Sequence, residues 1–178
     1  MLRRSLDSLY ALSGAFAAVC LAAIAVLMLT QAFGREFGLL IRGADDITAW
    51  LCAAASFLAL GHTFRHGELV RVGLWIDLLQ GNKRWAAEIC ALCITAIVVA
   101  YMGWAVCNFV WESWKFNEVA QGLIRIPIWI PQTSFAVGVL ILLVAILDDL
   151  ITVLMRGKPS YQLAEEDRRT RGDFSESV

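Results

Sequence analysis

The sequence predicts an all-α integral membrane protein with four transmembrane helices, an interfacial segment between helices 2 and 3, and both termini in the cytoplasm. Hydrophobic residues make up 59% of the 178 residues and charged residues only 17%, against about 45–50% and about 25% in soluble domains. The mean hydropathy of +0.66 also indicates a membrane protein. Four apolar runs are close to or longer than the about 20 residues that a spanning helix needs. With a net charge of −1 and no clustered basic face, nucleic acid is excluded as a partner.

The first predicted span covers residues 9–33, which carry no formal charge and follow Arg3, Arg4 and Asp7. The apolar region of a signal peptide has about 7–15 residues. The longer run therefore predicts an uncleaved first span.

The second predicted span, residues 47–64, is the shortest and begins after the acidic pair Asp45 and Asp46. An aspartate before a helix acts as an N-cap and places negative charge at the positive end of the helix dipole. We therefore expect one of the pair to cap the helix.

Residues 66–80 are the unusual stretch of the chain. Between Glu68 and Gln80 the only charged residues are Arg71 and Asp77. The stretch is too short to span a bilayer and too apolar to lie free in water, which predicts an interfacial segment.

The third predicted span covers residues 85–111 and the fourth covers residues 128–150, after Pro127. Proline is tolerated in a first helical turn but not in a helix interior. Residues 1–156 are thus expected to form one membrane domain. Residues 157–178 are charged and weakly patterned, as in a mobile cytoplasmic tail.

The distribution of basic residues predicts the orientation. The N-terminus, the second connector and the tail hold eleven Lys and Arg, and the other two connectors hold four. Since basic residues concentrate on the cytoplasmic side, both termini are expected there. Indole rings favour the phospholipid interface. The expected anchors are Trp50, Trp111, Trp114 and Trp129 on the outer side and Trp75 and Trp85 on the inner side.

Few ionisable residues lie near the spans. Glu88, Asp148 and Asp149 are close to span ends, where snorkelling or pairing with Arg84 or Arg156 would accommodate them. His62 and His66 share one helix end, cannot bracket a haem and lack a third metal ligand. No metal, cofactor or catalytic residue is predicted.

The pair Cys90 and Cys93 leaves one enzymatic alternative, a four-helix membrane thiol-redox enzyme. The predicted orientation puts this pair close to the reducing compartment, and buried thiols behave as small hydrophobes. The spans otherwise lack the embedded charges and broken helices of a transport site at the midplane. On physical grounds the chain is expected to be a non-catalytic subunit that packs against a larger membrane partner.

Several motifs occur in a characteristic order along the chain. Asp45 and Asp46 open the second span, the segment after that span carries Arg65, Gly67, Arg71, Val72 and Asp77, and the fourth span has Pro127 and Trp129 at its start with Gly138 beyond. This order resembles the small membrane subunit, the DctQ-like or Q subunit, of tripartite ATP-independent periplasmic (TRAP) transporters. The resemblance covers about residues 9–154, and the chain departs from the family pattern at Glu68, Leu69 and Gly73.

The resemblance implies a scaffold subunit in the bacterial inner membrane that stably binds a large, elevator-type permease subunit. A periplasmic solute-binding protein would deliver the solute, typically an organic acid, and sodium would drive uptake. The resemblance implies no cofactor and no catalytic residue.

Overall fold

The structure, a computed structural model, describes residues 2–38, 42–65 and 82–155. Within these ranges it is all-helical, with four helices that are long and apolar enough to span a membrane, as predicted. They are α1 (Leu2–Glu36), α2 (Ala44–Arg65), α3 (Asn82–Lys115) and α4 (Trp129–Leu154). The predicted interfacial segment, with Gly67, Arg71, Trp75 and Asp77, and the predicted tail lie outside the described residues.

The helices are arranged as a row in the spatial order α1, α2, α4, α3. In the described part of the chain, the extensive helix contacts are α1 with α2, α2 with α4, and α4 with α3. Helices α2 and α4 are parallel, since Phe57 lies beside Gly138 and, further along both helices, Arg65 lies beside Asp148. We call this arrangement the helix row; its edges are α1 and α3.

The hydrophobic core is centred on α4, which has helices on both sides and is the most buried of the four, whereas α1 is the least buried. Val139, Ile146 and Val153 of α4 are almost completely inaccessible. Tyr10 of α1 and Leu92 of α3 reach the same cluster from the two edges of the row. Helix α4 therefore holds the row together.

Glycine allows α2 and α4 to approach closely. A Cβ added to Gly138 would lie 2.5 Å from the carbonyl carbon and oxygen of Phe57, and one added to Gly61 would lie 2.6 Å from Ile141 Cγ2. The rings of Phe57 and Phe135 then pack edge to face, with their centroids 3.9 Å apart. Small residues permit such backbone approach between membrane helices.

Most hydroxyl groups in the helices bond to their own helix. A Ser or Thr hydroxyl that donates to the carbonyl one turn earlier is satisfied without water. Each of these donates to a carbonyl oxygen four residues earlier: Thr30, Thr48, Ser56, Thr63, Thr95 and Thr152. These groups are consequently not directed at a shared polar pathway.

Candidate functional site

Polar contacts between different elements cluster at the two ends of the helix row, and one more, from the Ser13 hydroxyl of α1 to the carbonyl oxygen of Leu58 in α2, lies between the ends. At one end, Asp7, Tyr10, Arg65 and Asp148 form the group we call the Arg65 cluster. At the other end, Asp46 holds the connector between α3 and α4, a contact we call the Asp46 latch. Helix α1 begins and α4 ends at the Arg65 cluster, so both lie at the same end of the row.

The Arg65 cluster joins three helices through one guanidinium group. Arg65 is the last residue of α2, and its Nη2 lies 2.5 Å from Oδ1 of Asp7 in α1. Its Nη1 donates to Oδ2 of Asp148 in α4 at 3.1 Å. The guanidinium carbon lies 5.1 Å from the ring centroid of Tyr10. The planar fork of arginine can serve two carboxylates and an aromatic face together.

The third pair of neighbouring helices is joined at this same end. The indole Nε1 of Trp85 in α3 donates to the carbonyl oxygen of Val153 in α4 at 3.1 Å. Trp85 thus has a protein partner in addition to its predicted place at the interface. All four helices are therefore linked at the Arg65 end.

The structure pairs Asp148 with Arg65, a partner that the sequence analysis did not name. The side chains of Arg84 and Arg156, the partners expected from predicted depth, lie outside the described part of the structure. The spatial order of the helices, with α4 next to α2, makes this pairing possible. The available sequence signal was that Arg65 and Asp148 end their apolar runs at the same predicted membrane side.

Neither Asp45 nor Asp46 occupies the predicted N-cap position of α2. Helix α2 begins at Ala44, so Asp45 and Asp46 lie in its first turn, and Gly43, at φ 82°, precedes it. The prediction that either aspartate is the cap is wrong, because the glycine already turns the chain into the helix. Both carboxylates still stand at the positive end of the dipole.

Asp46 uses its carboxylate to hold the connector instead. Its Oδ2 accepts the backbone N–H groups of Leu123 at 2.8 Å and Ile124 at 3.3 Å. Gly122 lies directly against the carboxylate, and the side chain of Ile124 fills the space beside Gly43. A Cβ at either glycine would collide with its neighbour. The latch thus depends on small residues on both sides.

The connector has internal hydrogen bonds of its own. Val119 and Pro127 form an isolated antiparallel bridge. The backbone N–H of Ala120 donates to the carbonyl of Ile126 at 2.9 Å. The buried hydroxyl of Ser113 donates to Glu118 at 3.0 Å. The connector is therefore a folded turn that presents two adjacent N–H groups to Asp46.

We expect Asp46→Ala to lower the free energy of unfolding by about 2 kcal/mol, since two backbone donors lose a charged acceptor. Thermal unfolding of the purified chain in detergent would measure the change. Asp45→Ala is the matched control, because Asp45 is exposed and also lies in the first turn of α2. Equal losses for the two variants would mean that the helix dipole, and not the latch, accounts for the effect.

Most of the described residues that carry the resemblance fall at the two ends of the row, whereas Gly138 lies within α4 against Phe57. Asp46 and Pro127 meet at the latch and its connector, Arg65 lies at the opposite end, and Trp129 is the first residue of α4. The rings of Trp111 and Trp114, near the end of α3, lie 5.2 Å apart. Trp50 is half-buried in α2, one turn beyond Asp46.

The described residues contain no group of three or more His, Cys, Asp or Glu side chains that could hold a metal ion. All five cysteines are free thiols, with Cys90 exposed and Cys93 half-buried on α3. The strongest polar contacts, at Arg65 and Asp46, connect parts of the chain to each other. Their chemistry is structural.

Comparison with protein families decides the class. Residues 24–156 match the DctQ component of tripartite ATP-independent periplasmic transporters. The chain belongs to the DctQ family. The resemblance predicted from the motifs is thus confirmed, and the DctQ chain is a multi-pass membrane protein and a component of a transporter. Comparison with curated proteins gave no match.

The matched region includes three of the four side chains that fix the ends of the row in this DctQ chain: Asp46, Arg65 and Asp148. Asp7, which supplies the other carboxylate of the Arg65 cluster, precedes the matched region. The contact of Arg65 with α1 therefore involves a residue outside the matched region.

Proposed function

We propose that this chain is the small scaffold subunit of a TRAP transporter in a bacterial inner membrane. It binds a larger elevator-type permease subunit stably and works with a periplasmic solute-binding protein. The complex takes up an organic acid or similar solute, driven by sodium. Substrate and sodium sites belong to the large subunit.

The observation that carries this proposal is that the cross-helix polar contacts are made within the chain. Arg65 and Asp46 bind neighbouring elements, and most helix hydroxyls bind their own backbone. In the described helices the charged side chains, including the buried Glu88 and Asp149, lie toward the helix ends and not at the midplane, where transporters build their sites. An apolar layer without a charged site at its midplane suits a static partner against which another subunit moves. Family membership supports the same role.

The proposed orientation puts the Arg65 end in the cytoplasm and the Asp46 end outside. Its support is the excess of Lys and Arg in the segments attached to the Arg65 end, eleven against four. In this orientation both termini face the cytoplasm, and the connector held by Asp46 faces the solute-binding protein. Residues 66–80 then brace α2 and α3 at the inner interface.

Co-purification tests the proposed function. We expect the tagged chain, produced in its native host, to retain the large permease subunit, and we expect deletion of its gene to abolish solute uptake. The chain alone in liposomes should not transport. A chain that purifies without any large membrane subunit would overturn the proposal.

The double variant Cys90→Ala/Cys93→Ala should leave uptake unchanged. Loss of uptake in this variant would instead favour the thiol-redox alternative.

A further inference from the structure

Two aromatic side chains on α3 have polar groups in an unusual position. Tyr101 is 69% exposed and Trp104 is 64% exposed in the described structure. Their rings lie 6.0 Å apart and form one continuous patch, which we call the Tyr101–Trp104 surface. Neither the phenol hydroxyl nor the indole N–H has a hydrogen-bond partner among the described residues.

The contact of α3 with α4 gives the depth of this surface. The uncharged helical residues 129–147 of α4 have their midpoint at Gly138. A Cβ on Gly103 of α3 would lie 3.7 Å from Val139 and 3.8 Å from Leu140. Gly103 is thus near the middle of the membrane, and Tyr101 and Trp104 are two residues and one residue away, about 3 Å and about 1.5 Å along the helix.

The sequence of α3 gives a similar depth independently. The midpoint between Arg84 and Glu112 is Val98, so Tyr101 lies about 4.5 Å and Trp104 about 9 Å from it along the axis. Both values are within the half-thickness of about 15 Å of the hydrocarbon core. Two helices therefore place the surface at hydrocarbon depth.

Lipid is a poor neighbour for this surface. Acyl chains cannot accept a hydrogen bond, so a phenol hydroxyl and an indole N–H facing them stay unsatisfied. Tyr and Trp accordingly favour the two interfaces and not the centre of a bilayer. A protein surface with backbone or side-chain acceptors at the same depth would satisfy both donors, and Tyr and Trp are frequent anchors of protein interfaces.

The other edge of the row has no such groups. Between Ser13 and Thr30, α1 carries no hydroxyl, amide, indole or charged side chain. The exposed residues of this stretch include Phe16, Val19 and Leu21. This face is chemically matched to acyl chains. The two edges of the row are therefore suited to different neighbours.

We infer that the Tyr101–Trp104 surface of α3 binds the large membrane subunit, which supplies hydrogen-bond acceptors near the bilayer midplane, and that the α1 edge faces lipid. The inference rests on the proposed function for the identity of the partner. Asn108, exposed one turn beyond Trp104 on the same face, extends the polar surface toward the outer interface.

Site-specific photo-cross-linking in native membranes tests the inference. p-Benzoylphenylalanine would replace Tyr101, and in a control chain it would replace Leu21, which is 59% exposed at the centre of the apolar run of α1. We expect position 101 to form an adduct with the large subunit, identified by mass spectrometry, and position 21 to form essentially none. Equal adducts at both positions, a lipid adduct alone at 101, or an adduct with a second copy of this chain would overturn the inference.

Two conservative variants test the hydrogen bonds themselves. Tyr101→Phe and Trp104→Phe keep aromatic rings and remove one donor each. Hydrogen bonds between membrane helices average about 0.6 kcal/mol, so each variant should weaken binding of the large subunit about three-fold and the double variant about eight-fold. If the surface faces lipid, removal of the donors will leave the yield of complex unchanged or raise it.

The wild-type chain distinguishes the two ways of failing. If it co-purifies with the large subunit but neither the cross-links nor the Phe variants behave as expected, this inference fails and the proposed function stands. If the wild-type chain does not retain a large subunit, the proposed function fails, and the assignment of the partner fails with it.

Discussion

Replacing Arg65 with methionine should lower the free energy of unfolding by about 2–3 kcal/mol. The substitution leaves the carboxylates of Asp7 and Asp148 without their cation and breaks the polar link between α1, α2 and α4. Loss of one partner in a buried ion pair costs about 3–5 kcal/mol. The lower value is expected because Asp7 is 53% exposed, although Arg65 and Asp148 are only 21% and 24% exposed.

Unfolding of the chain in detergent micelles, followed by circular dichroism, would measure this loss. Arg42→Met is the matched control, since it removes the same charge from an exposed side chain and should change stability by less than about 0.5 kcal/mol. Arg65→Lys should recover part of the loss, because an ammonium group can neutralise one carboxylate but lacks the fork that reaches both. Equal stability of the Arg65→Met and Arg42→Met variants would show that the cluster contributes nothing.

The second large effect is expected for Gly138→Ala, which should destabilise the chain by about 3 kcal/mol. The new Cβ would lie 2.5 Å from the backbone carbonyl of Phe57, and a helix backbone cannot move aside as a flexible side chain can. The helices α2 and α4 would have to separate along their contact. The edge-to-face contact of Phe57 with Phe135 would be lost with it.

Gly103→Ala provides the control for helix propensity. A Cβ at Gly103 would make ordinary contacts of 3.7–3.8 Å with Val139 and Leu140. Alanine is favoured over glycine in a helix by up to about 1 kcal/mol, so this variant should be neutral or slightly more stable. The comparison uses unfolding in micelles and the yield of folded chain. A similar loss in both variants would contradict a specific role for the close approach at Gly138.

The helices could be predicted from the sequence because a membrane-spanning segment must be both long and apolar, and few other segments of a chain have both properties. The roles of Asp45 and Asp46 could not, because an aspartate near a helix start is usually a cap, whereas here Gly43 takes that position. The binding of Asp46 to Leu123 and Ile124 depends on a contact between residues that lie 77 and 78 positions apart. No local pattern indicates such a contact.

The spatial order of the helices also could not be predicted from the sequence. All four helices are apolar around most of their circumference, so no single polar face indicates which side meets a neighbour. The pair of Arg65 with Asp148 requires α4 to lie beside α2, and charges at similar depth could equally have paired across other helices. The contact of α2 with α4 explains why Arg65 pairs with Asp148 and why a glycine is needed at position 138.

The helix row also determines how much of a partner this small chain can cover. Neighbouring helix axes are about 8–10 Å apart and each helix is about 10 Å across, so four helices in a line form a wall about 35–40 Å wide. The same helices packed two by two would present a side of only about 20 Å. A single layer has little resistance to bending out of its plane, because only a contact line joins each pair of helices. Backing by a larger membrane protein would turn this thin wall into a stiff one, and four helices would widen that protein's footprint in the bilayer.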